Sequence, residues 1–176
     1  MVRYRRNYVP GGTYFFTVTL RDRRADWLVR HIDSLRSAFA RVKTERPFRI
    51  DAMVVLPEHL HLIMTLPEGD SDYSGRLRLI KAIFARQLRD EGIDSRTVWQ
   101  SRFWEHTIRD DRDLRHHVNY IHFNPVKHGH VELPIDWPFS TIHQHISDRR
   151  LTANWGTTRS PDEGCKPDSG INVTHE

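Results

Sequence analysis

The stretch VVLPEHLHLIMTL, residues Val54 to Leu66, is the one whose reading decides the fold. It is aliphatic apart from a Pro-Glu break at residues 57–58 and two histidines one residue apart. Side chains alternate faces along a strand, so His59 and His61 project from one face while Leu60 and Leu62 project from the other. The preceding FRIDAMVVL (Phe48–Leu56) also reads as a strand. So short a connection makes the two strands antiparallel neighbours.

Outward from this hairpin, GGTYFFTVTL (Gly11–Leu20) is rich in β-branched and aromatic residues and reads as a first strand. Between it and Pro47, Leu28, Ile32, Leu35, Phe39 and Val42 recur at helical spacings of three and four. Downstream, Ser74 offers an N-cap for a helix from Gly75 to Arg89 with Leu77, Ile80, Phe84 and Leu88 as its apolar stripe. VWQSRFWEHTI (Val98–Ile108) reads as a fourth strand, and RDDRDLRHHVNYIHFN (Arg109–Asn124) as a third helix stopped by Pro125. The order strand, helix, strand, strand, helix, strand predicts an α+β fold of the ferredoxin-like, split βαβ kind. Helices cover one face of an antiparallel sheet, and the third helix is an addition to that core. One domain is expected over residues 1–147, followed by a polar, flexible tail over 148–176.

The 27 Lys and Arg residues outnumber 23 acidic ones, and only Lys43, Lys81, Lys127 and Lys166 are lysines. Guanidinium suits phosphate contact and base stacking, although codon usage in a GC-rich genome would produce the same bias. The lone Cys165 excludes an internal disulfide and fits a reducing compartment. No run approaches the roughly 20 apolar residues of a membrane span. A cytoplasmic protein with an anionic partner is expected.

On the third helix, Tyr120 and Asn124 are four residues apart and share a face, with His116 and His117 one turn earlier. Leu114, Val118 and Ile121 form an apolar stripe turned away from Tyr120. A single helical tyrosine most often only covers the edge of a core, and in a chain with 12 histidines a His-x-His pair arises by chance. The combination carries more: two imidazoles on a strand, a hydroxyl nucleophile on a helix, and an amide oxygen one turn on. Two histidines without a nearby cysteine do not complete a zinc site. With an amide oxygen they suit Mg²⁺ or Mn²⁺ and leave positions open for a phosphate.

VVLPEHLHLIMTLP, LIKAIFARQL, VWQSRFWEHTIRDDRDLRHHVNYIHFNPVKHG and WPFSTIHQH, in that order, resemble the single-tyrosine HUH transposases. The opening RRNYVPGGTYFFTVTL resembles the branch associated with repetitive extragenic palindromes (REP). The resemblance covers residues 1–147. It implies that His59 and His61 are metal ligands, Tyr120 the nucleophile and Asn124 the third ligand, where related insertion-sequence enzymes carry Gln. It also implies a 5′-phosphotyrosine intermediate, and a bacterial, nucleoid-associated protein. The expected substrate is single-stranded DNA bearing hairpins such as REP palindromes. A monomer is expected rather than a dimer that exchanges tyrosine helices.

A free tyrosine has a pKa near 10, so only about one in a thousand is phenolate at neutral pH and the nucleophile needs assistance. Arg3, Arg5 and Arg6, interleaved with Tyr4 and Tyr8, suit a single-stranded flank, charge tracking phosphates and rings stacking bases. A solvated N-terminus is the plain alternative. Arg76, Lys81 and Arg89 on the second helix form either a phosphate-facing row or a solvated face. Two other functions stay open at this point: a non-catalytic hairpin-binding module descended from such an enzyme, and a metal-dependent phosphodiesterase that uses water.

Overall fold

A computed structural model describes residues 7–93 and 97–157. The chain runs β1 (Thr13–Thr19), α1 (Trp27–Arg30), α2 (Ile32–Glu45), β2 (Arg49–Val55), β3 (His59–Thr65), α3 (Tyr73–Asp90), β4 (Trp104–Thr107), α4 (Asp111–Lys127), a 3-10 turn (Pro134–Asp136) and α5 (Ile142–Ser147). The strands form one sheet in the order β2-β3-β1-β4, and every adjacent pair is antiparallel. This is the split βαβ arrangement expected from the element order.

Alternation along β1 and β3 divides the hydrophobic interior in two. Tyr14, Phe16, Val18, Leu60, Leu62 and Met64 meet Leu35, Phe39 and Val42 of α2 and Leu77, Ile80 and Phe84 of α3. On the opposite face, Phe15, Ala52, Val54 and Ile63 meet Ile121 of α4, with Leu114, Val118, Tyr120 and Trp137 packed around them. The third helix therefore forms a layer of its own, on the face to which His59 and His61 point. A register shift between Ile50 and Ala52 marks a bulge in β2. It brings Ile50 and Met53, three residues apart, onto the same α2-facing side. The outer edge of β2 is closed by Val55 N–H donating to Phe139 O and Thr141 N–H to Met53 O, each at 2.9 Å, so little unpaired backbone remains there.

Four expectations change. The first helix is broken at His31, whose dihedrals (φ −113°, ψ 42°) leave the helical region and whose ring meets Glu91 at 2.7 Å. Asp72, not Ser74, caps α3, accepting from Gly75 N–H at 2.8 Å. The fourth strand is limited to Trp104–Thr107, with Trp99 making only an isolated bridge to Leu20. Finally, α4 passes through Pro125 to Lys127. The missing N–H falls in the last turn, where it costs one bond to Ile121 O. His130 N–H to Pro125 O at 2.9 Å and Gly129 at φ +72° then close the helix.

The chain leading into β1 is pinned. Val9 N–H donates to Tyr14 Oη at 2.6 Å, and the hydroxyl donates back to Val9 O at 2.9 Å. A Cβ at Gly12 would stand 2.8 Å from both Tyr14 Oη and Val9 O, so this approach requires glycine. Beyond α5, residues 148–157 return to α4, the Trp155 ring lying 5.9 Å from that of His122. The rest of the tail expected over 148–176 lies outside the described residues. Among the described residues no helix is long and apolar enough to cross a membrane.

Arg76 corrects a further expectation. It is 2% exposed, and its guanidinium donates to Arg46 O, Asp72 O, Pro47 O and the Asp70 carboxylate, the last at 2.6 Å. It holds the loop before α3 and is not available to a phosphate. That hydrogen bond holds the Asp70 carboxyl below its usual range. A carboxyl depressed in the fold stabilises it above the ordinary carboxylate pKa, and the contribution fades as pH falls through the folded value. Asp70→Asn is expected to cost roughly 1–2 kcal/mol at pH 7. In thermal melts the gap from the unaltered protein should close as the pH drops below about 4, and a gap unchanged down to pH 3 would refute the assignment.

Candidate active site and nucleic-acid face

His59 and His61 lie opposite Thr19 and Thr17 in the register of β3 with β1, and both are 4% exposed. Their rings are edge to face, centroids 4.9 Å apart. Each has one nitrogen held. His59 Nδ1–H donates to Glu58 Oε1 at 2.9 Å, and His61 Nδ1 is hydrogen-bonded to Thr17 Oγ1 at 2.9 Å. Burial works to raise the Glu58 carboxyl, but the hydrogen bond and charge of His59, with Arg23 3.5 Å away, outweigh it and hold it at about 2. Burial first, then the charges of His59, His128 and Lys127, push His61 well below the usual histidine range, so its imidazole is neutral.

From α4, Tyr120 projects onto this pair. Its ring meets His61 edge-on with centroids 5.2 Å apart and Phe15 at 5.9 Å, and Lys127 Nζ sits 4.8 Å from its centroid. The expectation that Tyr120 turns away from the apolar stripe is thus corrected. At 100° per residue Tyr120 and Ile121 share one broad face, and that face lies on the sheet. One turn on, Asn124 is wholly buried, and neither Oδ1 nor Nδ2 has a hydrogen-bond partner. His61 Nε2 is likewise buried without a partner. Such groups each cost about 1–3 kcal/mol when left unsatisfied, and they concentrate where something else binds.

The expected nucleic-acid contacts separate. Arg3, Arg5 and Arg6 lie outside the described residues. Tyr8 is half exposed and stacks on Tyr73 with centroids 5.1 Å apart. Lys81 donates to Gln100 O at 2.7 Å, and Arg89 is exposed near the end of α3. Arg76, Lys81 and Arg89 form no row, because five residues turn a helix by roughly 140° and thirteen by about as much the other way. The face that does exist carries Ser74, Arg78 and Lys81 at spacings of four and three, lining a recess with Asp72, Ser101 and Phe103. Tyr8 Oη stands 3.5 Å from Ser74 Oγ. Sequence reasoning missed Arg78, which the i, i+4, i+7 spacing from Ser74 would have found. It also missed Lys127, which the i, i+7 spacing from Tyr120 on α4 would have found, and Thr17, whose proximity to His61 is purely tertiary.

A second cluster stands on the same side of the sheet. His106 of β4 and Asp113 and His117 of α4 each offer a ligand atom, all within 4.8 Å of one another, a group that could bind a metal.

The structure thus lays Tyr120 on a strand-borne histidine pair across a split βαβ sheet. Residues 11–124 match the family model described as "Transposase IS200 like", and the chain belongs to that transposase family. Within it, the chain is 51% identical over 155 residues to the REP-associated tyrosine transposase of Escherichia coli strain K12, covering 88% of this chain and 91% of that one. A Haemophilus influenzae relative is 42% identical over 177 residues, covering 96% of this chain and 99% of its own length. The fold superposes with a TM-score of 0.82 and 52% identity on a solved REP-associated tyrosine transposase bound to a REP hairpin, covering 88% of this chain and 91% of that one.

Proposed function

We propose that the protein is a metal-dependent HUH-type transposase that nicks and rejoins single-stranded DNA beside hairpin-forming REP-like palindromes, through a 5′-phosphotyrosine on Tyr120. The observation that carries this is the packing of Tyr120 against His61, whose Nε2 is buried and unpartnered.

In this reading Tyr120 Oη attacks the scissile phosphorus in line. The Oη–P bond forms, the bond to the 3′ oxygen breaks, the phenol proton passes to solvent, and the leaving oxygen takes one up. Lys127 over the ring favours an electron-rich phenolate. The helix fixes the nucleophile, and the energy of the phosphodiester is kept in the covalent bond for rejoining.

His59, His61 and Asn124 would hold a divalent cation, Mg²⁺ or Mn²⁺. The fit rests on two unpartnered atoms that can ligate, His61 Nε2 and Asn124 Oδ1, and on Glu58 and Thr17 holding the far nitrogens, as such partners do in metal sites. Bound there, the cation supplies Lewis-acid polarisation of the phosphate and neutralises developing charge. In this reading a monomer composes the site, with Tyr120 serving the histidine pair of its own chain; their packing within one chain supports it. Tyr8, Lys81, Arg89 and Arg78 are the described contacts proposed for DNA, with Arg3, Arg5 and Arg6 ahead of them.

Chelation separates this enzyme from a hairpin-binding module. EDTA is expected to reduce cleavage of a hairpin-bearing single strand by on the order of 10²-fold or more, while hairpin affinity in a gel-shift titration changes little. Cleavage indifferent to EDTA would overturn the metal dependence. Binding without cleavage even in Mn²⁺ would favour the module.

A further inference from the structure

The His106, Asp113 and His117 cluster takes no part in the proposed chemistry, and its geometry is specific. Asp113 spans two rings: Oδ2 lies 2.8 Å from His106 Nε2 and Oδ1 lies 3.1 Å from His117 Nδ1. The rings stack with centroids 4.7 Å apart and planes 18° from parallel. The two histidines come from different elements. His106 faces Phe15 in the β1–β4 register, and His117 follows Asp113 by one turn of α4. His117 is neutral-prone, because burial outweighs the hydrogen bond it shares with Asp113 O.

We propose that His106 Nε2, Asp113 and His117 Nδ1 form a second, structural cation site of the zinc class, which clasps the first turns of the tyrosine helix to the outer strand β4. Two imidazoles and one carboxylate are a common donor set for Zn²⁺, with a fourth position left for water. All three residues are partly exposed, which gives water and ion access. On binding, the proton that His106 Nε2 shares with Asp113 Oδ2 and the one that His117 Nδ1 donates to Asp113 O move to the other ring nitrogen or to solvent, and the freed lone pairs become the ligands. A cation near the positive end of α4 is disfavoured by roughly 0.3–1 kcal/mol. Asp110, Asp111 and Asp113 oppose that charge.

The site is separate from the His59 and His61 pair but shares a wall with it. Phe15 lies 4.8 Å from the His117 ring, 5.4 Å from His61 and 5.9 Å from Tyr120. Closing the clasp therefore steadies the surface on which the tyrosine rests. The zinc is a positioning element and does not touch the reacting atoms.

The test is a Co²⁺ titration of the full chain, followed by visible absorption and by the shift in Tm that Zn²⁺ causes. The unaltered protein should take up two Co²⁺ and the His59→Ala/His61→Ala variant one, each with a raised Tm. His106→Gln/His117→Gln should keep one and bind the second at least 100-fold more weakly. Tight binding wholly lost with His59 and His61, or two tight Co²⁺ kept without His106 and His117, would overturn the proposal and leave the reading of the first site untouched. Imidazole ¹⁵N spectra of the unaltered protein make the result independent of how the variants fold. Zn²⁺ must shift His106 Nε2 and His117 Nδ1, and shifts confined to other histidines would equally overturn it.

Discussion

Tyr120→Phe is expected to abolish strand cleavage, by on the order of 10³-fold or more, while leaving the fold intact. Phenylalanine keeps the ring that packs on His61 and Phe15 and lies under Lys127. Only the hydroxyl is lost while the ring packing is kept, so the change in stability should stay at about 1 kcal/mol or below, that of one hydrogen bond. Hairpin binding should persist, since the recess proposed for DNA, lined by Arg78 and Lys81, is on the α3 side of the sheet. The proposed monomer further predicts that mixing Tyr120→Phe chains with His61→Ala chains restores nothing. Cleavage by Tyr120→Phe without a covalent product would mean that water is the nucleophile. Rescue in the mixture would mean that helices are exchanged between chains.

Asn124→Leu is expected to move stability and activity in opposite directions. The side chain is wholly buried, and both of its polar atoms lack partners. Leucine has nearly the same shape without the polar atoms, so metal-free protein should gain about 1–3 kcal/mol. For a chain of this size that corresponds to roughly 2–4 °C in Tm per kcal/mol. Cleavage in Mn²⁺ should fall by on the order of 10²-fold through loss of a ligand oxygen, and the Tm increase caused by Mn²⁺ should shrink. A variant that is less stable without metal, or equally active with it, would show that Asn124 is an ordinary buried amide.

The stretch Val54–Leu66 was legible because it obeys one local rule. Period-two alternation put His59 and His61 opposite Leu60 and Leu62, and the structure keeps them so, with Leu60 and Leu62 in the larger cluster. The sheet order followed from the element order. Local rules failed where a competing contact is distant in sequence. Pro125 reads as a stop, yet a helix can absorb a proline in its last turn when Gly129 closes it. Ser74 reads as a cap, but Asp72 reaches Gly75 N–H first. Arg76 looks like a surface cation. Only the fold reveals the three backbone carbonyls around it. Asp113 and His117 are one helical turn apart and legible as neighbours, but nothing in the spacing announces that His106, on a strand eleven residues before His117, joins them. That cluster exists because β4 pairs with β1 beneath α4.

The most direct measurement is the identity of the residue that carries the DNA. The full chain is incubated with Mn²⁺ and a hairpin-bearing single strand, denatured, digested and mapped by mass spectrometry. The expected result is one peptide bearing a 5′-phosphorylated nucleotide on Tyr120, with an equal amount of free 3′-hydroxyl product. Cleavage with no adduct, or an adduct on Tyr8, Tyr14 or Tyr73, would contradict it.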